Sequence, residues 1–213
     1  MKDYLNYDGL AVMAHRGGSL EAPENTLESF KYALEIGSDI IETDIQLSSD
    51  GIPYIFHDDD LKRIPGIEKN FNELLASEID ELNIFDDYKI PTLEETLKQF
   101  PNTKFQIDFK TDEVVDPAIE IINKLPHIKK NLCVASFSSQ RLQKIKSKLS
   151  DVTYSMGPHE VLKLLLKSFG IYRGEISGDC LQIPIYRYGI KICLLYTSPS
   201  PRDLSTSRMP SSA

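Results

Sequence analysis

The first candidates for chemistry are two histidines, each placed where an apolar run ends. His15 follows residues 10–14, and Arg16 comes directly after it, ahead of a pair of glycines. His57 follows residues 53–56. An imidazole titrates near neutral pH and both accepts and donates protons, so a pair of imidazoles suits acid and base catalysis. A single histidine at a strand end is more often structural, so the neighbouring motifs have to show whether these histidines are catalytic.

Acidic side chains alternate with apolar ones along two predicted strands. Glu42 and Asp44 share one face of the strand 39–47, and Asp108 lies on the polar face of the strand 104–110. On a surface strand this face lies in water. In a barrel wrapped by helices the apolar face meets the helices, and the polar face points into the barrel. The alternation alone leaves both interpretations open.

The order of the predicted elements favours one α/β domain. Apolar runs typical of strands alternate with helical periods through most of the chain, and no linker separates two halves. Each predicted helix is long enough for a crossover to a parallel strand. Strands are predicted over 10–14, 39–47, 53–57, 104–110, 132–137, 152–156 and 180–183, and helices over 92–100, 114–125, 139–149 and 159–169, after a first helix that stops at Gly37.

Composition excludes several classes of protein. A net charge of −8 without a block of five like charges argues against a nucleic-acid partner, so an anionic ligand needs a local basic pocket. No apolar run approaches the roughly 20 residues that span a bilayer, and the start lacks a signal core. Cys133, Cys180 and Cys193 lack the spacing of a zinc site or a disulfide framework, which favours a reducing compartment. We expect a cytoplasmic protein without an integral membrane segment.

Further short motifs accompany the first histidine in a fixed order. They are residues 23–26 (PENT), 42–44 (ETD), 50–51 (DG), 57–58 (HD) and 108–110 (DFK). Their order and spacing resemble the glycerophosphodiester phosphodiesterase family, over roughly residues 10–192 and most strongly up to 110. The resemblance implies a (β/α)8 barrel of the TIM type. It also implies a small-molecule glycerophosphodiester substrate, hydrolysed to glycerol 3-phosphate and an alcohol, usually with a divalent cation.

Phosphodiester hydrolysis needs charge neutralisation at phosphate, proton removal from the nucleophile and proton delivery to the leaving oxygen. The resemblance assigns the proton transfers to His15 and His57, without deciding which is the acid. Arg16 can fork onto two phosphate oxygens, and Lys110 can add a point charge. These two side chains would form the local basic pocket in an acidic protein.

The carboxylates Glu42, Asp44 and Asp108 suit a hard ion such as Mg²⁺ or Ca²⁺, acting as a Lewis acid. Without a cation, such crowded acids should partly hold protons. The alternative is a structural charge network in which Glu42 pairs with Arg16 and Asp108 with Lys110. Residue 108 is Asp where the family more often has Glu, so its metal contact could pass through water.

Two supporting residues and one segment have open roles. Asn25 either caps the first helix or helps to build the floor of the site. Asp58 either orients His57 or substrate, or is a solvated turn acid. Residues 61–91 resemble the family's insertion after the third strand, which covers the mouth of the barrel and helps to select the substrate.

The C-terminal part predicts an incomplete barrel. Barrels of this type need about 250 residues, whereas family-like sequence stops near residue 192, and the family's closing strands are missing. We therefore expect a partial phosphodiesterase barrel over 1–193 that is poorly folded and largely inactive. Residues 194–213 are rich in Ser and Pro and predict a disordered tail. They resemble translated adapter read-through, which would make them an artefact; a genuine flexible tail is the alternative.

Competing functions are another phosphodiesterase or phospholipase on a similar barrel, and a non-catalytic phosphate-binding barrel. A binding module has no need for two opposed imidazoles. Whether His15 and His57 share one pocket therefore distinguishes an enzyme from a binding module.

Overall fold

The computed structural model describes residues 2–7, 9–18, 22–64, 66–85 and 87–182, and the backbone of 186–187 and 190–191. These residues belong to two units, Met1–Leu181 and Gln182–Ala213. The strands, in chain order, are β1 (Met13–His15), β2 (Ile40–Leu47), β3 (Pro53–Ile55), β4 (Lys104–Phe109), β5 (Leu132–Ala135), β6 (Thr153–Tyr154), β7 (Tyr186–Arg187) and β8 (Ile190–Lys191). The α-helices are α1 (Leu27–Glu35), α2 (Ala76–Glu81), α3 (Leu93–Gln99), α4 (Val115–Lys124), α5 (Ser139–Lys148) and α6 (Pro158–Ser168).

A parallel sheet in the order β1-β2-β4-β5-β6 forms the centre of the first unit. Ile41 and Ile45 of β2 and Phe105 of β4 belong to the main core, together with apolar residues of α1, α3, α4 and α5. The opposite faces of these strands are also buried, since Asp44 is 2% and Asp108 5% exposed. The polar faces therefore do not lie in water, and the α/β architecture with polar residues on the inner side is confirmed.

The strand β3 differs from the parallel strands of the sheet in its direction, which the sequence pattern does not predict. It pairs antiparallel with β2, with Tyr54 opposite Gln46. A turn of only a few residues joins the two strands, which is too short for a parallel crossover. The Phe56 N–H then donates to the Asp44 carbonyl at 3.0 Å. This hairpin carries the chain back towards the acidic residues of β2.

The described strands form an open part of a barrel. Among the described residues no strand joins β6 back to β1; Cys180 makes only an isolated parallel bridge with Ser155, at the outer edge of β6. In the second unit, β7 and β8 pair with each other antiparallel. The predicted boundary at 193 and the predicted tail 194–213 lie outside the described residues. In the described part of the chain, no helix has the length and apolar character needed to cross a membrane.

The predicted insertion, 61–91, builds a small apolar core of its own against β3. Leu61, Phe71 and Ile79 are almost completely buried in it, together with Tyr54 and Phe56 from the hairpin. The Phe56 and Phe71 rings stack with their centroids 4.8 Å apart. Because this core includes Phe56, it anchors the segment that carries His57.

Candidate active site

The strand register brings the predicted acidic residues together. His15 lies opposite Glu42, and two residues further along the sheet Asp44 lies opposite Asp108. Side chains two apart on a strand point to the same face. The side chains of Glu42, Asp44 and Asp108 are 12%, 3% and 7% exposed. They form a buried group that we call the acidic floor, defined as Glu42, Asp44 and Asp108.

Lys110 lies between two members of the acidic floor. Its Nζ is 2.7 Å from Asp44 Oδ1 and 2.8 Å from Asp108 Oδ2. Burial opposes the charge on Lys110, but the negative charges of Asp108 and Asp44 outweigh it and raise the pKa of the ammonium. The pair of Lys110 and Asp108 expected for a structural charge network is therefore present, and it extends to Asp44.

The surroundings of Glu42 favour its protonated form. Burial raises the pKa of Glu42 to about 8, and the charge of Asp44 acts in the same direction. The Arg16 backbone N–H donates to Glu42 Oε2 at 3.3 Å, while the Arg16 side chain pairs elsewhere. The side-chain pair of Glu42 with Arg16 expected for a charge network is therefore replaced by a backbone contact.

The loop after β1 positions Arg16 through an unusual backbone. Arg16 has φ 52°, and Gly17, at φ +79°, packs so closely on α1 that a Cβ would lie 2.4 Å from Ser29 Oγ. The Arg16 Nη1 donates to both Glu24 oxygens, at 3.1 and 3.3 Å, and Nε lies 3.5 Å from Asp44 Oδ2. The guanidinium is thus held at the edge of the acidic floor.

Asn25 contacts the acidic floor and does not cap the first helix. The α1 cap is Thr26, whose side chain accepts a hydrogen bond from the Ser29 N–H. Asn25 Nδ2 donates to Asp44 Oδ2 at 3.3 Å, and its Oδ1 accepts from Thr43 Oγ1 at 2.8 Å. Of the two roles left open by the sequence, the structure places Asn25 at the floor of the site.

His57 is held by an acidic neighbour. Its Nδ1 lies 2.6 Å from Asp58 Oδ1. Burial opposes ionisation of Asp58, but the hydrogen bond to His57 and the charge of Arg63 lower its pKa. An ionised carboxylate can only accept, so His57 donates from Nδ1 and presents Nε2 elsewhere. Asp58 is thus positioned to orient the imidazole.

The two histidines lie in one electrostatic environment. His15 Nε2 is 3.8 Å from Glu42 Oε2, and its side chain is 56% exposed. Partial desolvation and the Arg16 guanidinium lower the pKa of His15, and the charge of His57 acts in the same direction. The two imidazoles therefore lie close enough for their charges to interact. His127, in the 3-10 helix Pro126–Asn131, and His159, in the first turn of α6, stand apart from this group.

Two cavities border the site. The first, of about 420 Å³, is lined by His57 and Asn25 and by residues of the insertion, among them Ile84 and Phe85. The second, of about 460 Å³, is polar and is lined by Lys110 and Gln46 among others. The predicted covering segment, 61–91, contributes side chains to both cavities.

The sequence comparison agrees with this geometry. Residues 15–165 match the model of the Glycerophosphoryl diester phosphodiesterase family. The chain belongs to this family. It is 33% identical to human "Glycerophosphodiester phosphodiesterase 1" over 158 residues, 68% of this chain and 48% of that protein. The chain therefore spans about half the length of this curated relative.

Solved structures of phosphodiesterases share the fold. A glycerophosphodiester phosphodiesterase from Thermotoga maritima is 34% identical with a TM-score of 0.60, covering 70% of this chain and 62% of that one. A phosphodiesterase from Oleispira antarctica, solved in complex with the product sn-glycerol-3-phosphate, is 28% identical with a TM-score of 0.63, covering 68% and 65%. These matches support the barrel class predicted from the sequence.

The donor chemistry of the acidic floor fits a divalent cation in this phosphodiesterase family member. Asp108 Oδ1 is buried and makes no hydrogen bond within the described part of the chain. Carboxylate oxygens are the ligands that Mg²⁺ and Ca²⁺ prefer. As the side chains stand, however, no three acidic, His or Cys residues among those described are arranged to hold a metal ion. The Lys110 ammonium occupies the space between two of the acids.

Two charged residues near the site, Glu24 and Arg63, are not among the site residues predicted from the sequence. Glu24 is held by Arg16 and also accepts from Arg63 Nη2 at 2.6 Å. Arg63 Nε donates to Asp58. Glu24 lies inside the PENT motif, which is a signal that could have identified it. Arg63 lies in the insertion, where local spacing offers no such signal.

Proposed function

We propose that this chain carries the catalytic site of a metal-assisted glycerophosphodiester phosphodiesterase. The reaction would convert a glycerophosphodiester into glycerol 3-phosphate and an alcohol. The observation that supports this most strongly is an imidazole, His15, that lies 3.8 Å from the buried acidic floor, with the second imidazole, His57, close enough for its charge to act on the first. A module that only binds phosphate needs cations and has no use for a second imidazole. The product bound in the Oleispira antarctica relative supports the same product class.

Each side chain has a defined part in this proposal. Arg16 and Lys110 bind phosphate oxygens, since Arg16 lies at the edge of the floor and Lys110 between two of its members. A Mg²⁺ or Ca²⁺ ion held by the acidic floor would neutralise charge on the phosphoryl group. His57, oriented through Nδ1 by Asp58, exchanges a proton at Nε2. His15 is the second proton-transfer group, and which of the two is the acid stays open.

The deciding experiment measures release of glycerol 3-phosphate from glycerophosphodiesters with choline, ethanolamine, glycerol and inositol head groups. Each substrate is tested with Mg²⁺, with Ca²⁺ and after chelation. We expect weak turnover by this partial barrel, which chelation abolishes and either ion restores. Undiminished hydrolysis by the metal-free protein would refute the metal site and favour the interpretation of the acidic floor as a structural charge network. Binding without turnover of any substrate would favour a phosphate-binding barrel. Hydrolysis of lipid substrates alone would favour a phospholipase.

A leaving-group comparison assigns the two histidines. In a phosphodiester whose leaving group is nitrophenolate, the leaving oxygen needs little protonation, because nitrophenolate is a stable anion. The variant that lacks the general acid should therefore lose much less activity on this ester than on a natural substrate. The variant that lacks the base should lose similar activity on both. His127→Ala is the matched control, since that imidazole is exposed and distant in sequence from the site.

A cytoplasmic location remains a prediction from the cysteine pattern. Fractionation of cells that express the chain, with a cytoplasmic marker as reference, measures the location directly.

A further inference from the structure

Arg63 links two parts of the site that come from different loops. Its Nη2 donates to Glu24 Oε1 at 2.6 Å, and its Nε donates to Asp58 Oδ2. Glu24 belongs to the loop between β1 and α1, and Asp58 follows β3. Each carboxylate has a second partner, because Glu24 accepts from Arg16 Nη1 and Asp58 accepts from His57 Nδ1. The guanidinium thus stands between the phosphate-binding cation and one of the two imidazoles.

The segment around Arg63 is well anchored. Leu61 is completely buried in the core of the insertion, and its N–H donates to the Lys69 carbonyl at 3.0 Å. The Ile64 N–H donates to the Leu61 carbonyl at 2.8 Å, which closes the turn that carries Arg63. The Glu24 and Asp58 side chains are 13% and 24% exposed, against 51% for Arg63 itself. The two mostly buried carboxylates are therefore paired with a half-exposed guanidinium, that of Arg63, on an anchored turn.

We propose that Arg63 is a positioning residue that holds Glu24 and Asp58 in the geometry the site requires. The proposal rests on the proposed function, since it explains how the insertion controls that same site. A guanidinium is planar and offers separate N–H edges, so one side chain can bind two carboxylates in fixed directions. A lysine ammonium is a single point and reproduces the charge without the directions. Arg63 itself transfers no proton.

Activity measurements distinguish positioning from substrate binding. Arg63→Met should lower kcat by about 10- to 100-fold, because small displacements of catalytic groups have effects of this size, with KM nearly unchanged. Arg63→Lys should recover only part of the loss. The matched control is Lys62→Met, because the neighbouring Lys62 is exposed and, among the described residues, forms its ion pair with Asp60. A raised KM with unchanged kcat would show that Arg63 binds substrate, and would overturn the proposal.

A spectroscopic measurement tests the same idea without any substrate. Imidazole ¹⁵N and ¹H resonances of His57, assigned by their loss in His57→Gln, report whether Nδ1 carries the proton. In the wild-type protein and in Lys62→Met we expect a single tautomer protonated at Nδ1. In Arg63→Met we expect averaging between tautomers, because Asp58 loses its second partner. Unchanged His57 resonances in Arg63→Met would overturn the proposal. An inactive wild-type protein would refute only the proposed function and leave this comparison decisive.

Discussion

Glu42→Gln is expected to stabilise the metal-free protein above neutral pH while removing one of the proposed metal ligands. Glu42 is nearly buried, and burial together with the charge of Asp44 raises its pKa to about 8. Glutamine has a similar shape and remains uncharged. Its side-chain oxygen can still accept the hydrogen bond that the Arg16 N–H donates to Glu42 at 3.3 Å. The substitution therefore removes the ionisation and keeps the contact.

The size and sign of the effect follow from the pKa difference between the folded and unfolded chains. The unfolded value is 4.5 and the folded value about 8. A carboxyl group with a raised folded pKa contributes its full stability below the unfolded pKa, and that stability is lost progressively as the pH rises from the unfolded pKa through the folded pKa. At neutral pH this loss amounts to about 3 kcal/mol in the free energy of unfolding. Glutamine does not ionise, so the free energy of unfolding of Glu42→Gln does not fall in this way.

The assay is urea unfolding in the presence of a chelator, at about pH 5 and about pH 8. Glu42→Gln should be clearly more stable than the wild-type protein at the higher pH, and the difference should shrink at the lower pH. The matched control is Glu35→Gln, which changes an exposed glutamate paired with Lys31 on α1 and should show no such dependence. Added Ca²⁺ should stabilise the wild-type protein more than Glu42→Gln. A wild-type protein as stable as Glu42→Gln at the higher pH in chelator would refute the reasoning.

The other predictions concern proton transfer, the buried cation and the tight glycine turn. His15→Ala and His57→Ala should each lower kcat by about 10²-fold or more, the usual scale for acid and base groups, with unchanged thermal unfolding; near-full activity in either variant would make that histidine structural. Lys110→Met should lower the free energy of unfolding in chelator by about 3 kcal/mol, because it leaves two buried carboxylates without their cation; urea unfolding measures this, and equal stability would contradict it. Gly17→Ala should destabilise by about 1–3 kcal/mol, because its Cβ would overlap Ser29 and Phe30, whereas Gly66→Ala, with open space around it, should cost less in the same assay.

Much of the sheet follows from local sequence pattern. The alternation along β2 and β4 predicts two faces, because side chains on a strand change sides at every residue. Both strands lie close to their predicted positions. The strand β3 also lies within its predicted range, but the pattern does not predict its direction. Direction depends on which strand it pairs with and on the length of the turn between them, and the apolar run 53–56 is compatible with either direction.

Residue types and spacing by themselves determined that two imidazoles, three acids and two cations stand near strand ends in this chain. Only the tertiary structure decided how they pair. It places Lys110 between Asp44 and Asp108, and Arg63 between Asp58 and Glu24. It also brings Cys133 Sγ within 3.6 Å of Cys180 Sγ, although 47 residues separate them. The physical reason is that periodicity acts over a few neighbouring residues, whereas these contacts depend on strand register and on how a buried hairpin and turn return to the sheet.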